Sequence, residues 1–276
     1  MSNAFQEKIP LGKTGLRVSR LGLGAAYGAT TAGYEEAFER GVNYFYWGSL
    51  RRKDMAVALR NLSKQHREEL VVVVQSYSRV AGLIGRSVES ALRKLKMSYA
   101  DILLLGWYNA APPERIMDAA MELKEKGRVR HIALSSHRRT LFPELLSDER
   151  YEIWHVRYNA VHRGAETEVF PALAPLAAPA RPGLVTYTTT RWGHLCNPRR
   201  TPDGEATPSG TDCYRWALSN PHVNTVLSGP ANIEQLRQAV AALERGPMDE
   251  DELAWMRRVG DAIYTNDVTT KARDRY

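Results

Sequence analysis

Three residues carry most of the chemistry that this sequence offers. Tyr46 ends the aromatic run "NYFY", Gln75 ends "LVVVVQ", and His155 lies inside "IWHVRY". A phenol donates a proton, a carboxamide grips an oxygen without carrying charge, and an imidazole does either near neutral pH. Tyr46, Gln75 and His155 are therefore the candidate catalytic residues. Tyr44 and Phe45 beside Tyr46 leave plain aromatic packing as the other reading of that position. Gln75 cannot lower the pKa of a neighbouring acid as a lysine would, and only Arg51 or Arg52 of the following loop would bring positive charge, if that loop folds inward. Trp47, Tyr77, Trp107 and Trp192 are the candidate substrate-pocket residues. With Tyr187 they offer faces between which a planar small molecule stacks. No cluster with metal-ligand spacing reaches His137 or His155, so no metal site is expected. No GxSxG, Walker or HExxH pattern occurs, and Cys196 has no evident base nearby.

The elements that must position these residues are short strands alternating with helices. Eight runs read as strands: Ser19–Ala25, Asn43–Trp47, Leu70–Gln75, Asp101–Trp107, His131–Ser135, Ile153–Tyr158, Leu184–Thr188 and Asn224–Ser228. "LVVVVQ" and "ILLLG" are continuously apolar, as strands covered on both faces are. Helical stripes occupy 87–97, 112–127, 231–243 and 249–264, and "IPLGKTGLRVS" reads as a hairpin around Lys13–Gly15. The fold class expected is α/β, a (β/α)8 TIM barrel with an N-terminal β-hairpin and an extra C-terminal helix, in one domain over 1–276. A doubly wound sheet is the alternative, but "GLGAAYG" has the wrong spacing for a Rossmann glycine fingerprint. In a barrel the chemistry lies at the C-terminal strand ends, where the candidate residues fall.

The totals set outer bounds. The chain has 276 residues, a net charge of +7 and two cysteines without a CxxC pair. The basic clusters 51–53, 137–140 and 198–200 lie between elements rather than along one face, so the expected partner is a small molecule and not nucleic acid. No apolar run is long enough for a membrane span and "MSNAFQEKIPLG" has no signal-peptide core, so a cytoplasmic, membrane-free protein is expected. Oligomeric state is not legible.

Read in order, "PLGKTGLRVSRLGLGA", "ERGVNYFYW", "DILLLGW", "GRVRHIALSSH", "YNAVHRGAE" and "SGPANIEQLRQAV" resemble the aldo-keto reductases over nearly the whole chain. The resemblance implies hydride transfer from NADP or NAD cofactors to a carbonyl, assisted by a tyrosine, lysine, aspartate and histidine. Those four places are altered. Tyr46 stands at the aspartate position, Gln75 at the lysine position and Gly106 at the histidine position; the loop 47–54 holds no tyrosine. On the cofactor side the resemblance places Ser135, Ser136 and His155 at the nicotinamide amide, Tyr187 under the ring, and Ala25, Arg191, Gly229, Asn232 and Gln235 along the nucleotide. The phosphate loop lacks its usual charge at Gly229 and its usual arginine at Gln235, leaving Arg191 or Arg237 as substitutes.

Three functions follow as alternatives: an NAD(P)-dependent oxidoreductase with a rebuilt acid, a catalytically silent relative that binds a nucleotide or small molecule, and a non-redox isomerase or lyase on the same barrel.

Overall fold

Every apolar run becomes a strand whose two faces are both covered. The computed structural model describes residues 5–48 and 51–266; the ends of the chain and the centre of the 47–54 loop lie outside the described residues. A two-stranded hairpin comes first, β1 (Ile9–Pro10) antiparallel to β2 (Arg17–Val18). The chain continues as β3 (Leu21–Gly24), α1 (Thr31–Glu39), β4 (Tyr44–Tyr46), α2 (Lys53–His66), β5 (Val71–Ser76), α3 (Ala81–Leu95), β6 (Ala100–Leu105), α4 (Glu114–Glu125) and β7 (Val129–Ser136). The short α5 (Leu141–Glu144) leads to β8 (Ile153–Arg157), and α6 (Ala165–Glu168) and α7 (Phe170–Leu173) lead to β9 (Gly183–Tyr187). Then follow α8 (Gly210–Leu218), β10 (Thr225–Ser228), α9 (Ile233–Arg245) and α10 (Glu250–Asn266), the extra C-terminal helix. β3 to β10 pair in sequence order, all parallel, and β10 closes onto β3.

Side chains alternate across each strand, which separates two apolar layers. Tyr44, Val71, Val73, Ile102, Leu104, Ala133, Ile153 and Val185 pack inside the barrel. Phe45, Val72, Val74, Leu103, Leu105, Ile132, Leu134 and Trp154 pack outward with the helices. The hairpin closes the N-terminal end, because Leu11 and Val18 join the inner layer and both are fully buried. Burying a leucine such as Leu11 contributes about 2 kcal/mol, and Gly183 leaves it room, since a Cβ there would lie 2.6 Å from Leu11.

Four helices differ from the sequence expectation. Helix α3 starts at Ala81 rather than 87, despite Gly82 and Gly85 in its first turns. α1, α2 and α8 were not expected as elements, although Thr30 caps α1 and a Ser209–Asp212 capping box opens α8.

Candidate functional site

At the C-terminal mouth of the barrel a cavity of about 290 Å³ is lined by Tyr46, Gln75, Tyr77, Leu104, Trp107, Ser135, His137, His155, Tyr187 and Leu227. Alternation explains the lining. Tyr46, Gln75, Ser135, His155 and Tyr187 each lie two residues beyond an inward apolar residue of the same strand, so they form the next layer up. No lysine, arginine, aspartate or glutamate is among these lining residues.

The polar groups of the cavity hold one another. The Tyr46 hydroxyl donates to Gln75 Oε1. The Gln75 amide and the Tyr77 ring occupy the space that a side chain at 106 would need: a Cβ on Gly106 would lie 2.2 Å from Gln75 Nε2 and 2.7 Å from the Tyr77 ring. One layer below, Tyr44 Oη is 3.0 Å from His155 Nε2. Burial pushes the His155 pKa down to about 3 and holds the Tyr44 phenol well above its usual value, so both are neutral. The two neutral groups share this one hydrogen bond, whose direction goes with the imidazole tautomer. Gly22 gives Tyr44 its place, since a Cβ there would stand 2.6 Å from the Tyr44 ring.

On the opposite wall Ser135 Oγ accepts from Trp107 N at 2.9 Å, and the Tyr187 hydroxyl donates to Ser136 O at 3.3 Å. His137 stacks loosely between aromatic neighbours, its ring 6.3 Å from that of Tyr187 and 5.3 Å from that of Trp107. Its pKa is lowered by burial first and by the Arg157 charge second. Trp107 is 57 % exposed and takes a left-handed backbone, φ 55°. That conformation costs a non-glycine residue about 1–3 kcal/mol and clusters at functional sites.

Several expected site residues lie elsewhere. Trp47 is not a pocket residue: it is 1 % exposed in the outer layer, its indole donating to Arg52 O at 2.9 Å. Ser136 alternates away from the cavity, fully buried, and donates to Arg138 O at 3.0 Å. Trp192 stands outside the lining on an exposed loop under the buried Arg191 guanidinium. Ala25 is buried, its amide donating to Tyr46 O. Asn232 caps α9 by accepting from Gln235 N, and Gln235 Oε1 accepts from Ala231 N. The Tyr27 ring covers Gly229, and Arg237 forms a two-pronged pair with Glu36. Arg51 lies behind β5, donating to Gln75 O and Ser87 Oγ, while Arg52 donates to Ala26 O. The lining residues missed in the sequence are Leu104 and Leu227; His137 is expected at the barrel mouth and lies there, without an assigned role. Period-two alternation from Ile102 and Thr225 would have found the two leucines.

A nicotinamide fits the cavity in kind: Tyr187 offers a ring face, Ser135 a hydroxyl and His155 its remaining nitrogen. The adenosine end differs, because the polar groups at 229–237 are engaged with one another and with Glu36.

Residues 32–187 match the aldo/keto reductase family. Among curated proteins, the L-galactose dehydrogenase of Arabidopsis thaliana is 24 % identical over 88 % of this chain and 91 % of its own length. The NADH-specific methylglyoxal reductase of Escherichia coli is 24 % identical over 93 % of this chain and 99 % of its own. Among solved structures, a holo aldo-keto reductase from Bacillus halodurans superposes with a TM-score of 0.75 at 22 % identity, covering 93 % of this chain and 97 % of that one. One from Klebsiella pneumoniae in complex with NADPH gives 0.73 at 20 % identity, covering 92 % and 95 %. Among the described residues no helix is long and apolar enough to cross a membrane, and no group of histidine, cysteine or carboxylate side chains is placed to hold a metal.

Proposed function

The chain belongs to the aldo/keto reductase family, and from that premise we propose that it binds a nicotinamide nucleotide at the barrel mouth without running conventional carbonyl reduction. The observation that carries this reading is the Tyr46–Gln75 hydrogen bond, two neutral groups where the family resemblance puts a carboxylate and an ammonium. A bound nicotinamide supplies hydride. The substrate oxygen then gains charge and needs a proton donor and hydrogen bonds already aimed at it. Tyr46 is the one lining phenol at a tetrad position, its hydroxyl is engaged by Gln75, and no lysine or arginine is among the lining residues. His155, neutral and with its cation disfavoured down to a pKa of about 3, is no proton source. Loss of a positioned acid costs about 10²–10⁴ in rate, and loss of an oxyanion donor about 10²–10³, with incomplete additivity. Because Arg237 is held by Glu36, the nucleotide is bound with little discrimination between NADP and NAD.

Calorimetric titration with both nucleotides, followed by turnover assays with short aldehydes and quinones, tests this. Comparable binding of both with negligible turnover is the expected result. Turnover at about 1–10³ per second overturns it and favours the second reading, a reductase in which Tyr46 is the relocated acid; Tyr46→Phe then abolishes activity without changing nucleotide affinity. Binding of neither nucleotide at millimolar concentration favours the non-redox barrel enzyme.

A further inference from the structure

We propose that Cys196 and Cys213 are a redox modification site, a dithiol that oxidises to an intramolecular disulfide fastening the loop after β9 to helix α8. The chain has two cysteines, seventeen residues apart, and the fold brings their sulfurs to 3.8 Å. Cys213 is buried in α8, whereas Cys196 is half-buried in the loop that follows Tyr187. Leu195 beside it is fully buried and anchors that loop in the core, so the thiols are held together rather than meeting by chance. Closing from 3.8 Å to a bonded length of about 2 Å is a shift that loop residue Cys196 can make while α8 stays in place.

The two thiols are not equivalent. The hydrogen bond with Cys213 holds the Cys196 pKa below its usual value, and the same contact together with burial pushes Cys213 up. Cys196 is therefore the thiolate that meets an oxidant. With a hydroperoxide as that oxidant, the Cys196 thiolate attacks the O–O bond, becomes the sulfenic acid and releases an alcohol or water. The Cys213 thiol then displaces water from the sulfenic sulfur and forms the S–S bond, so two thiols give up two electrons to one peroxide. The tethered segment begins a few residues after Thr188, Arg191 and Trp192, all in left-handed backbone.

The full chain exposed to hydrogen peroxide, or to glutathione buffers of graded potential, decides the matter. The expected result is the loss of both free thiols together in a monomer, with a mass lower by two hydrogens. Peptide mapping then finds the Cys196 and Cys213 peptides joined until reduction, since Arg199 and Arg200 separate them for trypsin. C196S keeps its remaining thiol unreacted under the same exposure, and C213S halts at a sulfenic acid trapped by dimedone. Should C213S not fold, the wild type and C196S still give the answer. Two thiols surviving strongly oxidising glutathione, or a disulfide joining two chains, overturns the proposal.

Discussion

The two ends of the barrel treat charge in opposite ways. At the N-terminal end the Asp101 carboxylate is 1 % exposed, yet it pairs with Arg67 at 3.0 Å and Arg130 at 3.4 Å and accepts from Val72 N at 2.8 Å. Both arginines also lie over the Tyr99 ring. At the C-terminal end the cavity is walled by neutral groups. The family resemblance puts the ion pair at that mouth, where this chain has Tyr46 and Gln75. The chain thus buries a charge where it fixes a strand end and keeps charged side chains out of the cavity lining, although the buried Arg157 at the end of β8 acts on His137 from behind it. Neutrality at the mouth is a local property, since the whole chain carries +7.

The largest expected effect breaks the charged end. Asp101→Ala leaves Val72 N and two guanidiniums without their acceptor, and it should destabilise the fold by about 3–5 kcal/mol in denaturant unfolding. Gly106→His attacks the neutral end. The new Cβ meets Gln75 and Tyr77, so a destabilisation of about 1–3 kcal/mol is expected. Combining it with Gln75→Lys should not restore reductase activity in a coupled NADPH assay, because no tyrosine stands in the loop after Tyr46.

A pH series sharpens the contrast further. His155 has its folded pKa depressed to about 3, below its unfolded value of about 6.5. Its contribution is present above pH 6.5 and is lost as pH falls through the window down to 3. Unfolding free energy should therefore drop by about 1 kcal/mol per pH unit below 6.5, and His155→Gln should flatten that slope. The smallest effect belongs to Arg237→Ala: with its guanidinium on Glu36, affinity for NADP relative to NAD should stay unchanged in calorimetry.

What the sequence reveals follows what each signal depends on. β5 and β6 are legible because burial on both faces writes an uninterrupted apolar run. α2 is not, because its buried stripe is Met55, Ala56, Ala58 and Leu59 among many charged residues, and small alanines barely mark a face. At the site, strand ends locate Tyr46, Gln75 and Gly106, but the hydrogen bond and the filled space between them depend on rotamers across neighbouring strands. Trp47 and Ser136 were misplaced for a reason already in the sequence. If Tyr46 and Ser135 point inward, the next residue on each strand points out. Whether Gly229 and Arg237 meet a phosphate depends on Tyr27 and Glu36, far off in sequence, which no local pattern reports.

Gly22 is not a lining residue, yet it sits beneath the cavity floor, against Tyr44 and Leu227. Its missing side chain is the seat of the Tyr44 ring, and the Tyr44 hydroxyl lies 3.0 Å from His155 Nε2. A single methyl at that glycine must displace the Tyr44 ring or the Leu227 side chain, and with the ring moves the hydrogen bond that orients the His155 imidazole. The orientation of the imidazole in the pocket is thus adjustable from a position that no inspection of contacts to the ligand would nominate.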